Sequence, residues 1–195
     1  MNHISPLLTI DSIALDRDIT SRKRAFEALS LIVEHCAGVS HQAAFDAFNA
    51  RERLGSTCMG GGVAIPHGRI KGLDGLVAAV LRTREPVVFD TPDGRRARLF
   101  FAVLIPEGDP DRYLEVLSDI SELLKDRSAK EKLLSVATPL EFCEFVQSWT
   151  PPAAADGSDP AKSSPEAQEA QPQEGEAPAQ AQTPEVPREI AAAQQ

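Results

Sequence analysis

The sequence predicts an α/β fold in which a β-sheet lies between two sets of helices. Two amphipathic segments come first, apolar segments of strand length follow, and further amphipathic segments come next. The run 99–105 is apolar on nearly every residue, which is typical of a strand covered on both faces. Buried strands flanked in sequence by helices indicate a sheet packed between helical layers.

The first two helices are predicted over 20–37 and 40–54. Apolar residues recur at helical spacing in the first segment, and Gly38 is its stop signal. Ser40 is the expected N-cap of the second helix. Arg51 lies in the last turn of that helix, where a cation interacts favourably with the helix dipole.

The strands are predicted over four apolar runs: 63–65, 75–81, 87–89 and 98–105. Pro66 is expected to end the first run, because its ring nitrogen cannot donate to a strand ladder. Asp93-Gly94 is a tight-turn signal between the last two runs. The neighbouring basic residues are expected to form a solvated hairpin edge; they are Arg95, Arg96 and Arg98.

Three helices are predicted after the strands. The first has Asp109 as N-cap and Pro110 at its first position. Each of the other two begins with a capping box, a hydroxyl residue followed three positions later by a glutamate. These boxes are Ser128 with Glu131, and Thr138 with Glu141.

The chain of 195 residues is predicted to hold one domain, residues 5–150, and a disordered acidic tail, residues 151–195. Pro, Ala, Glu and Gln dominate the tail, which has no aromatic residue and cannot bury enough surface to order itself. The tail has a net charge of −6, so −3 of the whole-chain −9 remains for residues 1–150. The strongly basic surface that nucleic-acid binding requires is therefore not expected.

A cytoplasmic location is predicted from three features of the chain. The first residues lack the charged start and apolar run of a signal peptide. No stretch approaches the ~18 apolar residues of a membrane span, so no membrane insertion is expected. The three cysteines are scattered, which favours free thiols in a reducing compartment; they are Cys36, Cys58 and Cys143.

Residues 55–70, GSTCMGGGVAIPHGRI, contain the groups that a histidine phosphoryl acceptor needs. His67 supplies an imidazole, which is nucleophilic near neutral pH because its ordinary pKa is about 6.5. Backbone N–H groups of Gly60, Gly61 and Gly62 are expected to bind phosphoryl oxygens, since no Cβ obstructs the approach. Arg51 adds a planar guanidinium suited to phosphate.

The same residues carry a family resemblance. RERLGST over 51–57, Gly60, and GVAIPHG over 62–68 resemble the enzyme IIA domains of the mannitol/fructose class in bacterial phosphotransferase systems. The similarity extends from about residue 5 to 149 and is strongest to the stand-alone nitrogen-regulatory members. Two departures are visible: Tyr113 stands where many relatives have a second histidine, and Cys58 and Gly61 replace a common glycine and asparagine.

The resemblance implies a site and a function. His67 is the implied phosphorylated residue, attacking through Nε2, with Arg51 as the active-site arginine and Thr57 hydrogen-bonded near the phosphoryl group. The implied fold is a mixed sheet flanked by helices, with no metal or organic cofactor. The implied donor is a phosphohistidine carrier protein similar to HPr. Because no IIB or IIC segment follows, the expected role is signalling through target proteins that distinguish the phosphorylated form.

Four other interpretations remain beside this one. The chain is alternatively a sugar-transport IIA that passes the phosphoryl group to a separate IIB, or a docking module whose histidine is never phosphorylated. A Cys58–His67 nucleophile pair would indicate a hydrolase, although the orienting acid is not evident. A zinc site from His35, Cys36 and His41 lacks a recognised ligand spacing and a fourth ligand.

Overall fold

The structure is a computed structural model that describes residues 2–89, 91, 94–107 and 110–150. The predicted tail, Asp93 of the predicted turn and the predicted cap Asp109 lie outside the described residues. Two short 3-10 turns, Ser5–Leu7 and Ile10–Ser12, come first in the chain. The strands are β1 (Ile13–Arg17), β2 (Cys58–Gly60), β3 (Gly62–Ala64), β4 (His67–Ile70), β5 (Val77–Val88) and β6 (Arg96–Pro106). The helices are α1 (Arg22–Ala37), α2 (His41–Leu54), α3 (Pro110–Lys125), α4 (Arg127–Ser135) and α5 (Pro139–Ser148).

The strands form one mixed sheet in the order β1-β5-β6-β3-β2, with β4 also paired to β6. β5 and β6 are the two long central strands and run antiparallel. β1 lies parallel to β5, while β3 and β4 both lie parallel to β6, one after the other. β2 turns back antiparallel to β3 at the edge.

Alternate residues of β6 enter two separate cores. Leu99, Phe101, Val103 and Ile105 pack with apolar residues of α3, α4 and α5 on one face. Phe100, Ala102 and Leu104 pack with α1 and α2 on the other face. The near-continuous apolar run is therefore explained by burial on both faces. The predicted α/β fold with a sheet between helices is confirmed.

Several elements differ from the prediction. The runs 75–81 and 87–89, predicted as separate strands, belong to one strand, β5, because the polar residues between them continue it through a register shift against β6. β2 and β4 were not predicted, because each is only three or four residues long and contains glycine. β1 was not predicted, because it is a five-residue edge strand with a bulge and contains the charged pair Asp16 and Arg17. α4 begins two positions earlier than the capping box implied, since Asp126 is the N-cap and accepts hydrogen bonds from the backbone N–H groups of Ser128 and Ala129. The Thr138 cap of α5 is present as predicted.

The N-terminus of α2 is capped in an unexpected way. Ser40 stands at the N-cap position, but its side chain makes no capping hydrogen bond. The Glu34 carboxylate of α1 accepts from the backbone N–H of His41 at 3.1 Å and also contacts its imidazole. These contacts with His41 lower the pKa of Glu34.

The basic residues near the hairpin combine solvent exposure with hydrogen bonds to the sheet. Arg95 donates to the Cys58 carbonyl at 3.0 Å, and Arg98 donates from Nε to the Thr83 carbonyl at 2.9 Å. Arg95 and Arg96 are exposed, as predicted, and Arg98 is half-buried. Arg98 therefore links the adjacent strands β6 and β5, and Arg95 links the start of β6 to β2.

Arg82 connects three elements at one end of the sheet. Its side chain is buried, and it donates from Nε and one terminal nitrogen to the two carboxylate oxygens of Asp16 at 3.0 and 2.7 Å. The other terminal nitrogen donates to the Leu133 carbonyl of α4 at 3.0 Å. The hydrogen bond from Arg82 is the main reason that the pKa of Asp16 is lowered. Asp16 has φ of 53°, in the left-handed region that Asn and Asp tolerate better than most residues.

We expect Asp16→Asn to lower the free energy of unfolding by about 1–2 kcal/mol at neutral pH, because it leaves buried Arg82 without a charged partner while Asn still tolerates the backbone conformation. Since the pKa of Asp16 is lower in the folded state, its contribution is present above the ordinary carboxyl pKa of about 3.9 and is lost as pH falls through the folded value. The difference between wild type and variant should therefore shrink from pH 7 to pH 3 in urea titrations.

Asp18→Asn is the matched control. Asp18 pairs with Arg84 at 3.0 Å, but both side chains of this pair are exposed. Such a pair contributes little, so the control should change stability by less than about 0.5 kcal/mol. Equal losses in the two variants would contradict the role assigned to Arg82.

Candidate active site

His67 is the first residue of β4 and directly follows the short link from β3. β3 ends at Ala64 and β4 begins at His67, and both pair with β6. Ile65 and Pro66 connect them, and the Pro66 carbonyl accepts from the Val103 N–H of β6 at 2.9 Å. The missing N–H of Pro66 thus interrupts the ladder locally without releasing the segment from the sheet. His67 is consequently placed by a strand, with only 8% of its surface exposed.

Both ring nitrogens of His67 have hydrogen-bond partners that fix the tautomer. Nδ1 lies 2.8 Å from the Ile65 carbonyl oxygen, which only accepts, so Nδ1 carries the proton. Nε2 then carries the lone pair, and it accepts from the Nε–H of Arg51 at 2.9 Å. The imidazole is neutral and nucleophilic at Nε2 in this arrangement.

Arg51 reaches His67 from the last turn of α2. A terminal nitrogen of its guanidinium also donates to the Gly55 carbonyl at 3.1 Å, just past the end of the helix. The second bond fixes the guanidinium in the loop while Nε–H points at the imidazole. The structure therefore brings Arg51 and His67, 16 positions apart in the chain, into direct contact.

Gly68 determines how closely α2 approaches β4. A Cβ at this position would lie 2.7 Å from the Cβ of Ala47 and 2.8 Å from its carbonyl carbon. Ala47 precedes Arg51 by one helical turn and is on the same face of α2. Glycine at position 68 therefore permits the backbone contact that carries Arg51 to the imidazole.

Thr57 is bound to Glu52, a residue that the sequence analysis did not single out. The Thr57 hydroxyl and backbone N–H donate to one Glu52 carboxylate oxygen at 2.6 and 2.7 Å. The Thr57 carbonyl accepts from the Ile65 N–H at 2.9 Å. Glu52 is buried, and Arg22 lies 3.7 Å from its other oxygen. Thr57 thus ties the end of α2 to the segment that positions His67.

A sequence signal for Glu52 existed. Glu52 follows the fully buried Phe48 by one helical turn, so it lies on the apolar face of α2. A carboxylate on an apolar face requires hydrogen-bond partners, and the following Ser-Thr segment could supply them. This reasoning would have predicted the contact with Thr57.

The three consecutive glycines form the turn between β2 and β3. Gly60, Gly61 and Gly62 have φ of 86°, 61° and 86°, all in the left-handed region that favours glycine. In the sheet register Gly62 lies opposite Ala97 and His67 opposite Val103. Six positions of β6 separate these pairs, so the chain from Gly62 to His67 runs extended along β6 over roughly 16 Å. The register therefore does not favour the prediction that the glycines bind a phosphoryl group on His67.

Tyr113 of α3 contacts the imidazole from the other helical layer. The ring centroids of His67 and Tyr113 are 5.9 Å apart, with an angle of 38° between the ring planes. Tyr113 is 8% exposed and belongs to the core beneath α3. The candidate site thus combines β4, α2 and α3 around one histidine.

The geometry does not favour the hydrolase or zinc interpretations. Both nitrogens of His67 are engaged by groups other than Cys58, which is buried opposite Ala64 in the β2–β3 pair. His41 contacts Glu34, and the thiol of Cys36 contacts the Val33 carbonyl at 3.9 Å. Among the described residues, no group of three or more His, Cys, Asp or Glu side chains is arranged to hold a metal ion.

Comparison with known proteins identifies the family. The family described as "Phosphoenolpyruvate-dependent sugar phosphotransferase system, EIIA 2" matches residues 6–149. The chain belongs to this family. The resemblance predicted from residues 51–68 is confirmed. No helix within the described ranges combines the length and apolar character needed to cross a bilayer.

Individual proteins similar to this EIIA chain agree with this family assignment. A nitrogen regulatory protein of Pseudomonas aeruginosa is 37% identical over 127 residues, 65% of this chain and 82% of the relative. A fructose-specific EIIA component of Haloferax volcanii is 31% identical over 132 residues, 67% of this chain and 86% of the relative. The crystal structure of nitrogen regulatory protein IIA-Ntr from Neisseria meningitidis has a TM-score of 0.69 and 41% identity, covering 73% of this chain and 98% of that one.

We expect Gly68→Ala to lower the free energy of unfolding by about 1–3 kcal/mol, because the new methyl group must push α2 away from β4. The control is Gly75→Ala, where a Cβ would meet no described atom within 4 Å and φ lies outside the left-handed region. That variant should be neutral or up to about 1 kcal/mol more stable. Urea unfolding measures both, and similar values for the two would contradict the close contact with Ala47.

Proposed function

We propose that this chain is a regulatory phosphoryl carrier of the nitrogen-related phosphotransferase system. It accepts a phosphoryl group on Nε2 of His67 from a phosphohistidine carrier protein similar to HPr. It signals because target proteins bind its phosphorylated and free forms differently. One observation carries the proposal: the Ile65 carbonyl keeps the proton on Nδ1, which leaves the lone pair on Nε2 beside Arg51.

The hydrogen bonds at Nδ1 and Nε2 determine how the phosphoryl group would be transferred to His67. The Nε2 lone pair forms a bond to the donor's phosphorus, and the bond from phosphorus to the donor histidine breaks with its electron pair left on that nitrogen. No proton has to move, since Nδ1–H stays on the Ile65 carbonyl. The Arg51 guanidinium leaves Nε2 as the new bond forms and binds the phosphoryl oxygens, a contact for which its planar fork is suited. Phosphoryl transfers of this kind depend mainly on positioning and charge stabilisation.

Exposed apolar side chains adjoin the site elements and support a protein donor. Leu54 follows Arg51 by three residues at the end of α2 and is 85% exposed. Leu114 follows Tyr113 in α3 and is 60% exposed. A recessed nucleophile bordered by apolar residues fits a docked protein surface, because interface centres are depleted in charge.

The names of the relatives favour regulation over transport. The nitrogen regulatory proteins of Pseudomonas aeruginosa and Neisseria meningitidis are 37% and 41% identical to this chain, while that of Escherichia coli and the fructose-specific component are each 31% identical. A phosphoryl group adds about −1.5 to −2 charges at neutral pH, which is enough to weaken one interface and strengthen another. We place this function in the cytoplasm, where the free cysteines Cys36, Cys58 and Cys143 stay reduced.

Intact mass after incubation with the phosphorylated carrier protein tests the acceptor. Wild type should gain one acid-labile, base-stable phosphoryl group, and His67→Ala should gain none. His41→Ala removes a more exposed histidine and should behave as wild type. Arg51→Lys should accept the group roughly ten-fold or more slowly, because an ammonium cannot replace the bidentate guanidinium. If wild type gains no phosphoryl group from a competent carrier, the proposal is wrong, and the chain is a docking module whose histidine is not phosphorylated.

Onward transfer distinguishes regulation from sugar transport. Phosphorylated wild type is mixed with a fructose-class IIB domain, and the phosphoryl group on each protein is followed by mass over time. A regulatory protein should retain its phosphoryl group under conditions in which a fructose-specific EIIA component discharges within the same assay. Equally fast discharge by both proteins would assign the chain to transport instead.

A further inference from the structure

The imidazole of His67 is constrained from three directions, of which the hydrogen bonds supply only two. Ile65 holds Nδ1 and Arg51 holds Nε2, and both contacts act at the ring's nitrogens. The third constraint is the ring of Tyr113, 5.9 Å away between centroids. Tyr113 comes from α3, which packs on the opposite face of the sheet from α2.

Tyr113 is rigidly placed. Val116 and Ile120 follow it at helical spacing along α3, and all three are buried in the same core. The Tyr113 ring therefore enters the site from a packed helix face. Its position is fixed by the core, and His67 is the ring against which it rests.

Phosphoryl acceptance changes the charge of the ring that Tyr113 touches. When the Nε2 lone pair bonds to phosphorus, the donor's phosphorus–nitrogen bond breaks and its electron pair returns to the donor ring. The Nδ1 proton stays on His67, so the His67 imidazole becomes a cation as the donor imidazole becomes neutral. An aromatic ring within about 6 Å of a cation attracts it through the ring quadrupole. The 5.9 Å between the ring centroids of His67 and Tyr113 lies within this distance, with the two rings tilted by 38°.

We infer that Tyr113 is a positioning residue for phosphoryl transfer: its aromatic ring orients the His67 imidazole and stabilises the positive charge that the imidazole acquires. This inference rests on the proposed function. The role is assigned to the aromatic ring, whose position beside the imidazole is described. Arg51 from α2 and Tyr113 from α3 are the titratable side chains with described contacts to the His67 ring, and the phenol stays neutral below its ordinary pKa of about 10.

The wild-type protein offers a direct test, because Tyr113 is the only tyrosine in the chain. Protein made with isotope-labelled tyrosine gives ring signals from Tyr113 alone in an NMR spectrum. These signals should shift when the carrier protein phosphorylates His67, and they should follow the ionisation of His67 in a pH titration of the free form. Tyrosine signals that remain unmoved through complete phosphorylation would overturn the inference.

Two substitutions separate the aromatic ring from the hydroxyl and from simple bulk. Tyr113→Phe should accept the phosphoryl group within about two-fold of the wild-type rate, since it keeps the ring. Tyr113→Leu should be about three- to ten-fold slower, and its His67 should have a lower pKa than in the Phe variant, because the cation loses its aromatic neighbour.

Phe142→Leu is the matched control for lost aromatic packing. Phe142 is buried in the same core, and its described ring contact is with Phe101 at 5.8 Å. Thermal unfolding should show a comparable stability loss in the two leucine variants, whereas the transfer rate and the His67 pKa should change only with Tyr113→Leu. Equal transfer by wild type and Tyr113→Leu would overturn the inference and leave the proposed function intact.

The failure of the proposed function has a different signature. In that case wild type takes no phosphoryl group from a competent carrier, while the pH titration of the labelled tyrosine still tests the ring contact. If Tyr113→Leu does not fold, the tyrosine signals of the wild type decide the question.

Discussion

The contact between the backbones of α2 and β4 at Gly68 is the constraint on which the site depends. Arg51 can donate to Nε2 of His67 because the helix lies directly on the strand, and any side chain larger than hydrogen at position 68 would collide with Ala47. Helix packing distances are normally set by side chains, at 8–10 Å between axes. Here a glycine and an alanine bring the functional side chains of two elements within hydrogen-bond distance.

The two hydrogen bonds on the imidazole together decide which nitrogen is the nucleophile. Each is worth about 1 kcal/mol net, so the pair favours the observed tautomer over its alternative by roughly thirty-fold. In the alternative tautomer, an Nδ1 lone pair would face the Ile65 carbonyl oxygen and an Nε2 proton would face the guanidinium of Arg51. The bond between the Thr57 carbonyl and the Ile65 N–H, with Glu52 holding Thr57, keeps the Ile65 carbonyl in place.

The sequence predicted the parts of the molecule that local rules govern. The spacing of apolar residues gave the fold class, the α1 and α2 helices and the buried β6, and the motif over 51–68 gave the family. Contacts that depend on register were not predictable in this way. The glycine triplet looked like part of the His67 site because it is near in sequence, yet the segment between them runs extended along β6, which puts the triplet and His67 at different points of the sheet. Gly68, a less conspicuous glycine, has the close backbone contact that the triplet was expected to have.

Under the proposed function, the contacts of Arg51 explain how a target protein would distinguish the phosphorylated form from the free form. In the free form its guanidinium is bound to Nε2 and to the Gly55 carbonyl, so a positive charge lies at the end of α2 near exposed Leu54. A bond from Nε2 to phosphorus removes the acceptor and places negative charge beside the same guanidinium. For a partner charge 4 Å away, a change of one unit is worth about 1 kcal/mol in water and about 4 kcal/mol near a protein surface. These values correspond to affinity changes from roughly five-fold to a thousand-fold, so a target protein can distinguish the two forms without any rearrangement of the fold.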